Sequence, residues 1–489
     1  MVKTLSGSNL NKINSREMAV YALIDIQEQK LYNNLTLKKL FSDNKELLTS
    51  QDKAFITELV NGTLRNIVLI DFIINAYSKT KTTSSKMKPL ILNILRISVY
   101  QIKFMPKIPH SAVCNEAVNF AKKKKFNGLA GFVNGVLRAI IRNVDDLLLI
   151  LPDSKEKPVE YLSIRYSYSE WIIKRLLEEF GFEEVEKMCE ANAVSPRVSI
   201  CVNIGKISVK ELKEVLIKEG MTVSDGEISE NALYIGKTKN IAQRESFKRG
   251  YYHVMDESSM LAVEVLDGID REVDKNKNKK IIDLCASPGG KSFYSSYLNN
   301  NNNNIEISSR DIHEHKITLM ENAIRRLGIK NIELELKDAT TCYEEDIETA
   351  DKILIDAPCS GIGIVKKKPD IKLNKTEADV LELVEIQRKI LENSGRYVKK
   401  GGTLVYSTCT LFKEENLENI NWFCANYGFE LEPIKEESMS EYFLNAIKNK
   451  LDENSYKKLL ENMGIGYLSI YPNLFNTDGF FIANLKKIK

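Results

Sequence analysis

Along the first 150 positions apolar residues recur at helical spacing. Ala19, Leu23 and Ile26 follow Asn14 and Glu17, which stand three apart as a capping pair. Phe55 to Leu64, Val68 to Tyr77, Leu90 to Phe104, Ala112 to Lys124 and Phe132 to Ile141 carry the same spacing or a near-continuous apolar run. The pattern predicts an all-α bundle of about six helices. Pro152 to Pro158 reads as a linker. Beyond it come helices at Glu170 to Glu179 and Glu183 to Ala191, then a small α+β stretch with strands near Val198 to Asn203 and Leu233 to Ile235 and a helix from Val209 to Glu219. Strands and helices alternate in the last part of the chain. Apolar runs at 280–285, 305–310, 332–336, 351–356 and 402–407, and a final Phe480 to Leu485, predict a doubly wound α/β sheet. The domains expected are therefore 1–150, 159–267 and 268–489. The run Asn299 to Asn304 falls between a helix and a strand and reads as a loop elongation.

A chain of 489 residues exceeds one ordinary core, and 43% hydrophobic with 28% charged residues is a globular composition. Met1 to Asn14 holds no apolar run of signal-peptide length, and stretches such as Leu147 to Leu151 are far too short to span a bilayer. The expectation is a cytoplasmic protein without membrane association. Its eight cysteines are scattered, with no C-x-x-C pair and only four histidines, so neither a disulfide framework nor a metal site is expected. Cys114, Cys189, Cys201, Cys342 and Cys424 read as small buried hydrophobes. The net charge is only +3, but residues 1–150 carry +11 and the remainder −8, which marks the helical part as the candidate arm for a polyanion such as RNA. Its densest basic run, Lys122 to Lys125, is open to two readings: a solvated helix end or an RNA contact.

Three segments of the last part carry chemistry. Asp283-Leu284-Cys285-Ala286-Ser287-Pro288-Gly289-Gly290-Lys291 follows a strand and opens a helix, the place where an α/β sheet binds a nucleotide-like cofactor. A phosphate-binding P-loop needs glycine where Cys285 stands, and G-x-G-x-x-G is absent, so neither ATP nor NAD is favoured. A turn offering backbone amides and a strand-end carboxylate suits a cofactor that carries an amino acid and a nucleoside, S-adenosyl-L-methionine. Asp351 to Gly361 is an apolar run ending in Asp356-Ala357-Pro358-Cys359-Ser360-Gly361. Gly402 to Thr410 ends in Ser407-Thr408-Cys409-Thr410. Two cysteines thus reach the same edge of one sheet.

These three segments, in this order, resemble the RNA cytosine-carbon-5 methyltransferases of the Rsm/Nop/Sun group. Ala54 to Arg65 and Gly131 to Arg138 resemble a NusB-type RNA-binding bundle, and such a bundle ahead of the methyltransferase marks the RsmB-like branch. The resemblance implies a multidomain protein: an all-α NusB-like bundle, a small α+β (RRM-like) middle region and a Rossmann-like α/β methyltransferase domain. It implies methylation of a specific cytosine in small-subunit (16S) ribosomal RNA, with ribosomal RNA as the partner, no metal, and a monomer as the expected state. Gly361 to Asp370 departs from the pattern of that branch. Lys366, Lys367 and Lys368 stand where arginine and histidine are frequent, which keeps charge for phosphate but loses the planar guanidinium fork.

Carbon 5 of cytosine is too weak a nucleophile to take a methyl group directly, and a thiolate adding at carbon 6 makes it enamine-like. The resemblance implies that Cys409 is this nucleophile and that Cys359 assists release of the product. DNA cytosine methyltransferases place the nucleophile in the proline–cysteine segment, so Pro358-Cys359 alone points the other way; the second cysteine decides for the RNA type. Asp356, beside the cytosine edge, is placed to stabilise the protonated ring nitrogen or bond the exocyclic amine, and also to contact the methyl donor. Lys291 is a cation expected to bond Asp356 or the substrate. Cys285, Ala286, Ser287, Pro288, Gly289, Gly290 and Lys291 supply the cofactor turn, Asp311 is placed to accept both ribose hydroxyls, and Asp338 to meet the adenine amine. Two rivals are the same chemistry on transfer RNA or another ribosomal site, and a non-catalytic RNA-binding or antitermination protein. The bundle argues against the first, and intact Cys359, Cys409 and Asp356 against the second.

Overall fold

The computed structural model describes residues 14–29, 33–78, 86–236, 241–268, 279–299 and 304–489. Residues 1–13, and with them most of the stretch Met1 to Asn14, and the asparagine positions 300–303 lie outside the described residues. Two compact units form. One runs up to Cys189 and includes Lys372–Asn374; the other comprises Glu190–Ile371 and Lys375–Lys489.

The first unit is helical. Among the described residues its bundle consists of α1 (Ser15–Gln29), α2 (Asn33–Asp43), α3 (Ser50–Arg65), α4 (Ile67–Tyr77), α5 (Pro89–Phe104), α6 (His110–Lys123) and α7 (Asn127–Arg142). Six match predicted segments, and α2 is additional. Asn14 caps α1 by accepting from the Arg16 amide at 3.0 Å, whereas the Glu17 carboxylate accepts from Lys123 at 2.8 Å. Thr49 and Asp52 form a reciprocal capping box on α3. The helices close on one core that includes Leu23, Ile56, Leu59, Ile70, Leu95, Val133 and Leu137. No single helix among the described residues is long and apolar enough to cross a membrane; α3 and α4 meet that length and composition only as a pair bent by 76°. The Lys372 ammonium is buried in this unit, donating to the carbonyls of Arg65 (2.9 Å) and Tyr166 (2.7 Å), and burial pushes it down to about 7. Helices α8 (Pro158–Tyr166), α9 (Glu170–Phe180) and α10 (Phe182–Ala193) follow the bundle.

In the second unit, β1 (Val198–Val202), α11 (Val209–Lys218), β2 (Thr222–Asp225), β3 (Ala232–Gly236), α12 (Glu245–Lys248) and β4 (Tyr252–Val254) build the small α+β layer. Its sheet is antiparallel throughout in the order β2-β3-β1-β4, the ferredoxin-like arrangement. This layer is tied to the larger sheet's helices. The Asn203 amide donates to the Leu327 carbonyl at 3.0 Å, and Arg326 donates to the Phe247 and Tyr252 carbonyls at 2.8 and 3.0 Å.

The larger sheet begins after α13 (Glu257–Gly268), whose residues are almost wholly buried. Its elements are β5 (Lys279–Asp283), α14 (Gly290–Leu298), β6 (Ile305–Asp311), α15 (Glu314–Leu327), β7 (Ile332–Leu336), β8 (Ala350–Asp356), then, past α16 (Ile371–Asn374), most of which belongs to the first unit, α17 (Glu377–Tyr397) and β9 (Val398–Thr408). They continue with α18 (Leu417–Tyr427), β10 (Phe429–Leu431), α19 (Glu441–Lys450), α20 (Glu453–Ile465), β11 (Tyr467–Ile470), α21 (Pro472–Phe475) and β12 (Phe480–Lys487). The strand order is β10-β12-β9-β8-β5-β6-β7, with β11 paired to β12. The run β7-β6-β5-β8-β9 is parallel, and β12 joins β9 antiparallel. Strand order reverses between β5 and β8. A crevice outside the carboxyl ends of the strands at such a switch point is where open α/β sheets take their ligands.

Candidate active site

The turn after β5 is fixed by backbone contacts. The Ala286 amide donates to the Arg310 carbonyl at 2.8 Å, and the Gly289 amide to the Ala286 carbonyl at 2.6 Å. Gly289 has φ +97°, and a Cβ there would lie 2.3 Å from the Phe293 ring, so only glycine fits where helix α14 begins. Beneath the turn Asp283 is buried and accepts from Ser292 Oγ at 2.6 Å, and Ser309 Oγ lies 2.7 Å from Ser292 Oγ. Burial pushes the Asp283 carboxyl up to about 7 against the pull of Ser292 and Lys291. Burial, with the carboxylates of Asp283, Asp356 and Asp311, likewise pushes the Cys285 thiol far up, so Cys285 lines the turn as a neutral group.

The switch point carries an ion pair. Lys291 Nζ, one residue into α14, stands 2.6 Å from Asp356 Oδ2 at the end of β8; the lysine is buried and the Asp356 side chain keeps 33% of its exposure. The Lys291 ammonium also lies 5.3 Å from the centre of the Phe480 ring. Ser407 faces Asp356 in the β8–β9 register, and its hydroxyl donates to Asp356 Oδ1 at 3.2 Å.

Cys359 and Cys409 follow the carboxyl ends of these same two strands. Both are free and half-buried, and their Sγ atoms are 3.2 Å apart. The hydrogen bond with Cys409, together with burial, holds the Cys359 thiol well above its ordinary range. Lys291, Asp356, Cys359 and Cys409 thus gather at one edge of the sheet.

The two remaining carboxylates are partly engaged. Asp311 Oδ1 accepts from the His313 amide at 2.9 Å and Oδ2 from Lys316 at 3.3 Å. Asp338 Oδ1 holds its own turn, accepting from the amide and hydroxyl of Thr340 at 2.8 and 2.7 Å.

Other expectations are corrected. The Lys367 ammonium is already engaged, meeting Asp256 at 2.5 Å and Asp478 at 2.7 Å. Despite desolvation these carboxylates raise the lysine above its ordinary range, while burial and Asp256 push Asp478 up to about 7. Lys366 is buried against Asn476, while Lys367, though paired, and Lys368 are both exposed. Cys342 and Cys424 are half-buried rather than core, Cys342 lying 3.9 Å from an Arg396 nitrogen. In the basic run Lys123 is paired with Glu17 and Lys124 lies over the Tyr21 and Phe120 rings, while Lys122 and Lys125 face solvent. Sequence reasoning missed the buried polar groups behind the cysteines: Gln387, Glu415 and Asn416.

Among the described residues no group of three or more His, Cys, Asp or Glu side chains is arranged to hold a metal ion. The family described as 16S rRNA methyltransferase RsmB/F matches residues 272–486, the NusB family residues 13–142, and the RsmF/B-like ferredoxin-like domain residues 168–242. Over 479 residues the chain is 36% identical to the probable ribosomal RNA small subunit methyltransferase B of Bacillus subtilis (strain 168), covering 98% of this chain and 100% of that relative. It is 29% identical over 477 residues to the protein of the same description from Synechocystis sp., covering 97% of this chain and 100% of that one. Among solved structures, PH0851 is similar over 97% of this chain and 99% of its own, with 26% identity and a TM-score of 0.72. NSun6 from Pyrococcus horikoshii, solved with SFG, shares the fold over 65% of this chain and 97% of its own at 24% identity and a TM-score of 0.53.

Proposed function

We propose that this chain, which belongs to the RsmB/F family of S-adenosyl-L-methionine-dependent methyltransferases of small-subunit ribosomal RNA, methylates carbon 5 of one cytosine through a covalent adduct with Cys409. One observation carries the reading: two thiols 3.2 Å apart at the ends of adjacent parallel strands, beside a lysine–carboxylate pair at the switch point.

The two thiols take different tasks. The resemblance of Ser407-Thr408-Cys409-Thr410 to the RNA-type segment gives the attack to Cys409 and leaves Cys359, in contact with it, for release of the product. Its addition forms a bond to carbon 6 and shifts the ring's double-bond electrons to carbon 5, which then takes the methyl group. Asp356 faces the ring nitrogen and exocyclic amine, where charge appears as the sulfur adds; Lys291 and Ser407 hold that carboxylate in place. Restoring the aromatic ring requires loss of the proton from carbon 5 and return of the electron pair to Cys409, the step in which Cys359 takes part. The target base reaches both sulfurs only when it is unstacked from its neighbours.

The residues present fit the cofactor. The turn Cys285–Lys291, shaped by the left-handed Gly289 and with Cys285, Ser287 and Gly290 only half-buried, faces the amino-acid end; Asp311 would meet the ribose hydroxyls and Asp338 the adenine amine. When bound there, the cofactor supplies a methyl group on a cationic sulfur. The helical bundle, rich in basic residues, serves as the RNA arm. Bisulfite sequencing of small-subunit ribosomal RNA from cells with and without the gene tests the reading. One cytosine protected only when the gene is present is expected, and identical patterns in both contradict it.

A further inference from the structure

The carboxylate of Glu415 is fully buried, and the groups that converge on it all belong to the two cysteine loops or their support. Glu415 Oε1 accepts from the Ser360 amide at 2.8 Å and from Gln387 Nε2 at 3.0 Å, and Oε2 accepts from the Ser360 hydroxyl at 2.5 Å. Ser360 Oγ lies 2.7 Å from Thr410 Oγ1. Ser360 and Thr410 are the residues immediately after Cys359 and Cys409. Gln387 also donates to the carbonyl of Pro358, just before Cys359, at 2.9 Å. The next residue completes the arrangement: Asn416 accepts from Thr408 Oγ1 at 2.5 Å and donates to the Thr410 carbonyl at 3.1 Å, bracketing Cys409. Tyr406 in β9 anchors the dipeptide from below by donating to the Glu415 carbonyl at 2.7 Å.

We propose that Glu415 is a positioning residue, whose carboxylate clasps the Cys359 and Cys409 loops together and sets the distance between the two sulfurs. The inference rests on the reading of the two cysteines given above. Several donors meet at one point there, and only a group that accepts without donating satisfies them all. A buried anion is costly, and burial raises the Glu415 carboxyl while the donors from Ser360, Gln387 and Thr410 oppose that rise. An apolar side chain could fill the same space without that cost, but it could not register two loops against each other. The contact between the sulfurs, and their access to the same base, depend on that register.

The test uses the full-length protein with Glu415→Gln, which keeps the size of the side chain but turns an amide nitrogen toward a donor. Three readouts are compared with wild type: cofactor affinity by calorimetry, kcat and KM on small-subunit RNA, and the rate at which diamide joins Cys359 to Cys409, followed by peptide mapping. In that oxidation the two thiols give up two hydrogens, a sulfur–sulfur bond forms, and the diazene is reduced to the hydrazine. The clasp predicts unchanged cofactor affinity, KM near wild type, kcat lower by about a hundredfold, the scale of a misplacement near 1 Å, and a slower crosslink. Ser360→Ala removes one donor and keeps the carboxylate, so it gives smaller losses in kcat and crosslinking and replaces Glu415→Gln if that variant does not fold. Wild-type crosslinking in either folded variant overturns the proposal, whatever kcat does. Slowed crosslinking in an enzyme whose wild type makes no 5-methylcytidine upholds the clasp and removes the reading of the chemistry instead.

Discussion

Asp283→Asn isolates the buried carboxyl at the end of β5. An unfolded aspartate titrates near its ordinary value of 3.8, whereas this one, 1% exposed and bonded chiefly to Ser292, is pushed up to about 7. Below 3.8 both states hold the proton and the group contributes nothing to pH dependence. As pH rises from there the unfolded chain loses its proton first, so the native state binds more protons and stability falls. Each pH unit costs about 1.4 kcal/mol, and the fall is complete above the folded value at about 4 kcal/mol. Asparagine still accepts from Ser292 and has no proton to lose. Urea denaturation of both proteins between pH 5 and 8 is expected to show the wild type losing about 2 kcal/mol relative to the variant between pH 5 and 7, with the difference then levelling. Groups common to both proteins, Asp478 among them, cancel in the comparison. A stability difference that stays constant across this range refutes the reasoning.

Asp311→Ala is expected to weaken cofactor binding by roughly 1–3 kcal/mol, the scale of a lost charged hydrogen bond, and calorimetry with unchanged affinity rejects the ribose contact. Lys122→Ala with Lys125→Ala, the two solvent-facing members of the basic run, is expected to lower the slope of log affinity against log salt by roughly 1 to 2 without altering cofactor affinity. An unchanged slope assigns that run to a solvated helix end.

The strand-end motifs were legible because an apolar run that stops at an acid or a cysteine fixes both the strand and the edge at which its polar groups emerge. The placement of Lys291, Asp356, Cys359 and Cys409 at one sheet edge followed from that pattern, and the helices of the bundle followed from their 3.6-residue period. Helix α2 escaped because its apolar positions, Leu35, Leu37, Leu40 and Phe41, are diluted by polar neighbours, and β10 and β11 because strands of three or four residues carry too little alternation to read. The pairing of Lys367 was hidden by distance along the chain, since Asp256 and Asp478 each lie 111 positions away. Glu415 was hidden for the same reason: Ser360 and Gln387 are 55 and 28 positions off, and an acid beside a helix start reads locally as a capping group. A site's first contacts are written at strand ends, whereas the groups that hold those contacts in register are brought in by tertiary packing.

The central claim, that Cys409 attacks the ring and Cys359 resolves the adduct, is tested most directly by a denaturing gel of protein mixed with labelled small-subunit RNA and S-adenosyl-L-methionine. Cys409→Ala is expected to give neither methylation nor a covalent band, because no nucleophile remains to activate carbon 5. Cys359→Ala is expected to attack, transfer the methyl group and then stall as a denaturation-resistant protein–RNA complex. A covalent band from Cys409→Ala and none from Cys359→Ala contradicts the assignment and gives the nucleophile's role to the proline–cysteine segment.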